Sequence, residues 1–191
     1  MNRKIIIVEG YLAAGKSAFA RQLSDFLKIP YFVKDTFKTA LCSNITINNR
    51  DESSLFSAIT FDAIMYSAER LIEVGCPVII EGNFAPMGVK KFDESAKIRE
   101  LIDKYCCKAL TYKFKGDTQI LYKRFIVRND SSERGNANKE FEELSYQKFY
   151  QYCRNLDNFN IGGDVVEVDT TDFSKVDFKS LIDKACEFID T

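Results

Sequence analysis

Eight residues near the start constrain the chain more than any others: Gly10-Tyr11-Leu12-Ala13-Ala14-Gly15-Lys16-Ser17. They stand between an apolar run, Lys4 to Val8, and an amphipathic stretch, "SAFARQLSDFL". The spacing satisfies G-x-x-x-x-G-K-[ST] in the strand-turn-helix setting that its mechanism requires. The two glycines let the backbone wrap closely enough for successive N–H groups to point at phosphate oxygens, and the helix N-terminus adds positive potential. Gly10, Leu12, Ala13, Ala14, Gly15, Lys16, Ser17 and Ala18 are therefore the expected nucleotide contacts. Lys16 is expected at the β- and γ-phosphates, and the Ser17 hydroxyl oxygen on Mg²⁺.

The rest of the chain reads as alternating strands and helices, which argues for βα units and a parallel sheet. The strand-like runs are Lys4 to Val8, Pro30 to Lys34, Pro77 to Gly82, Lys108 to Phe114 and Asp164 to Asp169. Between the second and third, "SSLFSAITFDAIMYSAERLIEVG" carries Leu55, Ile59, Ala63, Tyr66, Leu71 and Val74 at helical spacing and stops at Gly75. Further helices are expected after Gly15, near Asp93, at Asp117, near Lys139 and at Asp177. The segment from Arg128 to Glu140 has the least periodicity and reads as a mobile insertion. One domain over 1–191 is the expectation for 191 residues that are 46% hydrophobic.

Lys and Arg total 27 against 28 Asp and Glu, so no broad basic surface points to nucleic acid or a membrane. Charges interrupt every apolar run, and a cytoplasmic protein is expected. The 6 Cys form no CxxC pair and read as small buried hydrophobes of a reducing compartment. The chain has no histidine, so acid–base work falls to carboxylates or lysines. A GTP switch should carry N-K-x-D, whereas Asn138-Lys139-Glu140-Phe141 lacks the aspartate. Motors need more chain than this, which leaves a compact phosphotransferase.

A hydroxyl acceptor must lose a proton to a nearby carboxylate, whereas a phosphate acceptor needs several arginines to hold it. Asp35 follows the second strand and Glu81 ends the third, where sites gather in such sheets. Asp35 is the expected base, or else the N-cap of the next helix. Glu81 is expected on a Mg²⁺-bound water or on the substrate, or else as a solvated strand end. From Asp35 to Val74 the only cations are Lys38, Arg50 and Arg70, which favours a hydroxyl over a phosphate. Lys38, Asn83 and Phe84, with Asp35 and Glu81, form the expected acceptor side within 35–75 and just beyond. Phe37, Phe56 and Phe61 either join Phe84 there or fill the core. In the far half, Arg124 and Arg128 lie four apart and Arg134 follows. They suit a lid over about 117–140 that brings Arg128 and Arg134 to the transferring phosphoryl group; surface ion pairs are the other reading.

The ordered set of "GYLAAGKS", Asp35 with a cation three positions on, "VIIEGNFAP", Arg-x-x-x-Arg before "ERG", and "VEVDTTDF" resembles the small AAA-type kinases. These are relatives of zeta toxins, chloramphenicol phosphotransferase and polynucleotide kinase. The resemblance implies a three-layer P-loop NTPase fold, with a five-stranded parallel sheet in order 2-3-1-4-5 and helices on both faces. It also implies ATP with Mg²⁺, Asp35 as base, Arg124 stacked near adenine, Arg128 at the phosphates, and Thr170 bordering the adenine. Lys38 stands where relatives close to polynucleotide kinase have arginine, and "GNAN" replaces their His-Pro-Gly-His; both differences count against a nucleic-acid acceptor. "EGYLAAGKS" is also similar to the loop of deoxynucleoside kinases, whose Glu/Asp-Arg-Ser is absent. The expected activity is transfer from ATP to a hydroxyl of a small molecule. The alternatives are a nucleoside kinase, a polynucleotide 5′-hydroxyl kinase and a regulatory ATP-binding module.

Overall fold

The computed structural model describes residues 3–84, 93–129 and 144–191. Its central strand, β1 (Lys4–Gly10), is buried at every position. It pairs in parallel with β3 (Val78–Glu81) and β4 (Lys108–Lys115); β2 (Tyr31–Val33) adds beyond β3, and β5 (Asp164–Asp169) beyond β4. The order is β2-β3-β1-β4-β5, as the resemblance implied. A continuous Ile-Ile-Ile-Val run suits this strand because both faces are covered, so no polar alternation is needed.

Side chains of β1 point alternately into two cores. Ile6 and Val8 join Phe19 and Leu23 of α1 (Lys16–Leu27), Phe125 of α5 (Thr118–Asn129), Phe149 of α6 (Tyr146–Leu156) and Ile182 of α7 (Phe178–Asp190). Ile5 and Ile7 join Phe61, Ile64, Ala68 and Ile72 of α3 (Arg50–Glu73) and Ile98 of α4 (Glu94–Tyr105). The short α2 (Lys34–Leu41) follows β2 directly. Three layers result. Helix starts are set by side chains that accept a backbone N–H: Asn49 from Glu52, Asp93 from Ala96, Ser145 from Lys148 and Asp177 from Ser180. Asp117 does the same for Gln119 and Ile120 ahead of α5.

Some expectations are corrected. The helix after residue 50 is present, but it turns a different face inward: Leu55, Ile59, Tyr66 and Val74 are exposed, while Phe61, Ile64, Ala68 and Ile72 are buried. The helix is apolar on more than one side, and the sheet selects the stripe that reaches β1 and β3. Asp35 lies in the first turn of α2, whose N-cap is Val33, so it is not the cap. Cys42, Cys107 and Cys153 are buried as expected, whereas Cys106 is exposed; it ends α4 in a left-handed conformation, φ 50°. The expected helix near Lys139, Arg134 and the lid beyond α5 lie outside the described residues. Among the described residues no helix is long and apolar enough to cross a membrane.

The two stripes of α3 should separate in a denaturation series. Ile64→Ala is expected to cost about 2–5 kcal/mol of unfolding free energy, and Ile59→Ser to stay within about 0.5 kcal/mol. The reverse ranking in urea titrations would mean that the helix is rotated.

Candidate active site

All five strands end on one edge of the sheet, and the expected site residues collect there. After β1 the chain makes a tight loop that only glycine could begin. Gly10 has φ +124°, and a Cβ on it would stand 2.0 Å from the carbonyl oxygen of Phe114 on β4. Its neighbour Tyr11 donates its N–H to that same oxygen at 2.8 Å, pinning the loop to β4. Ala13 adopts φ +58°, which costs a residue with a Cβ about 1 kcal/mol. Gly15 caps α1 at φ +86° without a side-chain bond to the first-turn amides, and that turn contains no acid. The first N–H groups of α1 thus meet the loop with no carboxylate of their own turn, an arrangement that suits an anion.

Lys16 is 6% exposed, and its Nζ donates to the Tyr11 carbonyl at 2.6 Å. Burial lowers its pKa, opposed by the negative fields of Glu81, Glu9 and Asp35, while Arg128 adds to the lowering. Ser17 donates its hydroxyl to Oε2 of Glu81 at 3.0 Å. Burial raises the Glu81 carboxyl to about 7; Asp35 pushes the same way, and Lys16, Ser17 and Arg128 oppose it. Asp35 and Arg128 therefore act electrostatically on both Lys16 and Glu81. Ser17 and Glu81 are in direct contact, and Asp35 in the first turn of α2 and Arg128 in the last turn of α5 lie near enough for their charges to act on Lys16 and Glu81. Asn83 sits half-buried two residues beyond Glu81.

Two acceptor-side expectations look different in three dimensions. Phe84 is fully buried against Phe61 and Phe159, with ring centroids 5.8 Å and 5.9 Å away, and forms core rather than an open wall. Lys38 is buried too, and its Nζ donates to Ser53 Oγ at 2.7 Å. Arg124 lies at the other end of the site: Nη1 donates to the Thr170 carbonyl at 2.6 Å and Nη2 to the Thr171 carbonyl at 2.8 Å.

One charged residue that sequence reading passed over proves prominent. Glu9 is fully buried at the end of β1, and among the described residues neither carboxylate oxygen has a hydrogen-bond partner. Lys113, across on β4, approaches Oε1 to 3.8 Å but donates instead to the Asp157 and Phe159 carbonyls. Burial raises the Glu9 pKa to about 7, against the pull of Lys113, Lys16 and Lys115. Its place before Gly10 in an otherwise apolar strand was the available signal.

The residues fit a magnesium nucleotide. The left-handed turns at Gly10 and Gly15 bring the loop backbone round ahead of the first amides of α1, and Ser17 and Glu81 offer the hard oxygen donors that Mg²⁺ takes singly or through water. Among the described residues no cluster of three or more His, Cys, Asp or Glu could hold a metal by itself.

No family model and no curated protein matches the chain. Solved structures do. A protein of Chloroflexus aurantiacus, provisionally described as a kinase, superposes with a TM-score of 0.86 at 19% identity, over 98% of each chain. A shikimate kinase of Acinetobacter baumannii, in complex with shikimate, gives 0.61 at 14% identity, covering 98% of this chain and 93% of that one. A gluconokinase of Sinorhizobium meliloti gives 0.55 at 13%, covering 96% and 89%. The chain has the fold of these small P-loop kinases. At such identities the likeness is one of architecture, and the chemistry must be argued from the side chains.

The Glu9 carboxyl carries a checkable cost. Between about 4.5 and about 7 the folded state keeps a proton that the unfolded chain has lost, so its contribution to stability falls as pH rises through that window. Glu9→Gln should therefore gain on wild type between pH 5 and pH 8, by roughly 1–3 kcal/mol in urea denaturation. A difference independent of pH would show that the carboxyl carries no such penalty.

Proposed function

We propose that the protein is an ATP-dependent phosphotransferase that moves the γ-phosphoryl group to a hydroxyl of a small molecule. The observation that carries this reading is the convergence of Lys16, Ser17, Glu81, Asp35 and Arg128 at the mouth of the phosphate loop. Phosphoryl transfer needs little covalent help from a protein, so catalysis rests on position and charge. The loop amides and Lys16 hold the phosphate tail. On nucleotide binding, Lys16 exchanges the Tyr11 carbonyl for phosphate oxygens, a stronger and charge-assisted partner. Mg²⁺ bound at Ser17 would neutralise charge between the phosphates, and Glu81 would orient a water of that ion.

Asp35 is exposed at the first turn of α2 and is the proton acceptor in this reading. The acceptor oxygen attacks phosphorus, its proton passes to the Asp35 carboxylate, and ADP leaves. Arg128 stabilises the charge that spreads over the transferring group. Glu81 is buried and holds the Ser17 hydroxyl, so this reading gives it the magnesium side rather than the proton. The nearby acids, together with the burial of Lys38, favour an uncharged hydroxyl compound over a phosphorylated acceptor. The narrower kinship with zeta toxins and chloramphenicol phosphotransferase rests on the sequence motifs. A single domain with a lid over 117–140 and a second charge from Arg134 belong to the same reading.

Mass-spectrometric screening of hydroxyl compounds with Mg·ATP tests the activity; magnesium-dependent binding without any phosphorylated product would favour a regulatory module. Once an acceptor is found, Lys16→Ala should abolish transfer. Asp35→Asn should keep ATP affinity but lower kcat by about 10² or more. Turnover retained in Asp35→Asn would remove that residue as base.

A further inference from the structure

The carboxyl of Glu9 takes no part in the transfer described above, and its surroundings show what would complete it. Glu9 stands opposite Lys113 in the register of β1 and β4, on the face of β1 that Ile5 and Ile7 turn toward α3 and α4. Glu81 is paired with Val8 and belongs to the other face, with Ser17.

The charges around Glu9 already have nearer partners. Lys113 approaches its Oε1 only to 3.8 Å and donates to the carbonyls of Asp157 and Phe159 at 2.7 Å and 3.3 Å. Lys115 donates to Glu167 at 2.6 Å. The Asp157 carboxylate accepts from the Tyr11 hydroxyl at 2.9 Å and pairs with Arg154 at 2.9 Å. Lys16 is turned to the Tyr11 carbonyl. Lys34 and Glu94, at the starts of α2 and α4, pair with each other. Phe61, Phe84 and Phe159 complete that face and are apolar. Among the described residues no donor reaches either Glu9 oxygen. A carboxyl enclosed without water or donors favours its neutral form: burial raises its pKa to about 7, against Lys113, Lys16 and Lys115, and Asp157 adds to the rise.

The connection to the phosphate loop is short. Gly10 follows Glu9 directly, and Glu9 and Lys16 lie near enough for each charge to act on the other. Burial lowers the proton affinity of Lys16, and Glu81, Glu9 and Asp35 oppose that lowering. Until phosphate arrives, Glu9 is thus one of the anions that keep the Lys16 ammonium charged. A triphosphate gripped by Lys16 takes over that role with more negative charge than one carboxylate carries. Two anions then share one cation in an interior that screens them poorly. The phosphates of Mg·ATP stay ionised near neutral pH, whereas a carboxyl at the edge of protonation can neutralise itself.

We propose that nucleotide binding is coupled to a proton on Glu9: the carboxylate takes one up from solvent as the triphosphate enters the loop, so that affinity falls as pH rises above neutral. The proposal rests on the nucleotide-binding reading of the loop and deepens it. Below about pH 6 Glu9 holds its proton with or without nucleotide and adds no pH dependence. Above about 7 the free protein has lost that proton and must regain it, which weakens binding by up to about tenfold per pH unit.

Calorimetric titration of the full chain with Mg·ATP tests this, run at about pH 6 and about pH 8.5 in buffers of differing ionisation enthalpy, which reads affinity and proton number together. Glu81 also titrates near neutral pH and would lose its proton to an adjacent magnesium ion. The Glu9 contribution is therefore read as the difference between wild type and Glu9→Gln. Near pH 6 the two should agree within about twofold; near pH 8.5 Glu9→Gln should bind about tenfold more tightly and take up about one proton fewer. Glu9→Met, apolar and of similar length, should match Glu9→Gln and guards against an effect peculiar to the amide. Equal pH profiles in wild type and variants, weaker binding by the variants near pH 8.5, or a profile that only one variant flattens overturns the proposal and leaves the nucleotide reading standing. Failure of wild type to bind Mg·ATP at either pH sinks that reading as well.

Discussion

The close approach of Gly10 to the Phe114 carbonyl is the constraint on which the site depends. With only 2.0 Å between that oxygen and the place where a Cβ would stand, the chain can leave β1 here solely as glycine. The bond from Tyr11 N–H to the same oxygen fixes the direction of the turn that follows. From that anchor the loop reaches Gly15, α1 begins with its first amides aimed at the loop, and Lys16 and Ser17 fall beside Glu81. The course of the glycine loop is thus a consequence of how β1 and β4 pair, rather than a loop added to a finished sheet.

Burial of charge is the second theme. Lys16, Glu81, Glu9, Lys34, Lys113 and Glu94 are all nearly inaccessible to water. Lys34 and Glu94 pair with each other, and Lys113 is held by carbonyls. Glu81 takes one hydroxyl, and Glu9, 3.8 Å from the Lys113 ammonium, accepts no hydrogen bond among the described residues. Folding alone gives no reason to place inside a strand a carboxyl whose ion pair with Lys113 is 3.8 Å long, because an apolar residue there would be cheaper. The unfavourable groups gather behind and beside the phosphate loop, where such strain is usually retained for function.

Much of this was legible in the chain. The strand runs stand out because a doubly covered parallel sheet needs unbroken apolar residues. The phosphate loop is visible because its glycines and lysine have a fixed spacing. Several helix starts could be read because Asp93, Asp117 and Asp177 carry the oxygen that satisfies a free N–H. The facing of α3 was not legible: Leu55, Ile59 and Tyr66 make one stripe at helical spacing and Phe61, Ile64 and Ala68 make another, and only the position of the sheet distinguishes them. Phe84 looked like part of a site wall from its place at a strand end, yet the ring turns back into the core beside Phe61. Phe173 closes the quoted "VEVDTTDF", but nothing in that run shows that its ring meets Arg124, nearly fifty residues away.

By itself the sequence determined the local geometry: where the backbone extends, where it coils, and where it turns tightly on glycine ahead of a helix. These are short-range consequences of side-chain size, branching and hydrogen-bonding capacity. Tertiary structure alone decided which face of each helix is buried, that Asp35, Glu81 and Arg128 act on one lysine, and that Phe173 lies on Arg124. Such relations depend on through-space distances between strands and helices remote in the chain, and no local pattern encodes them.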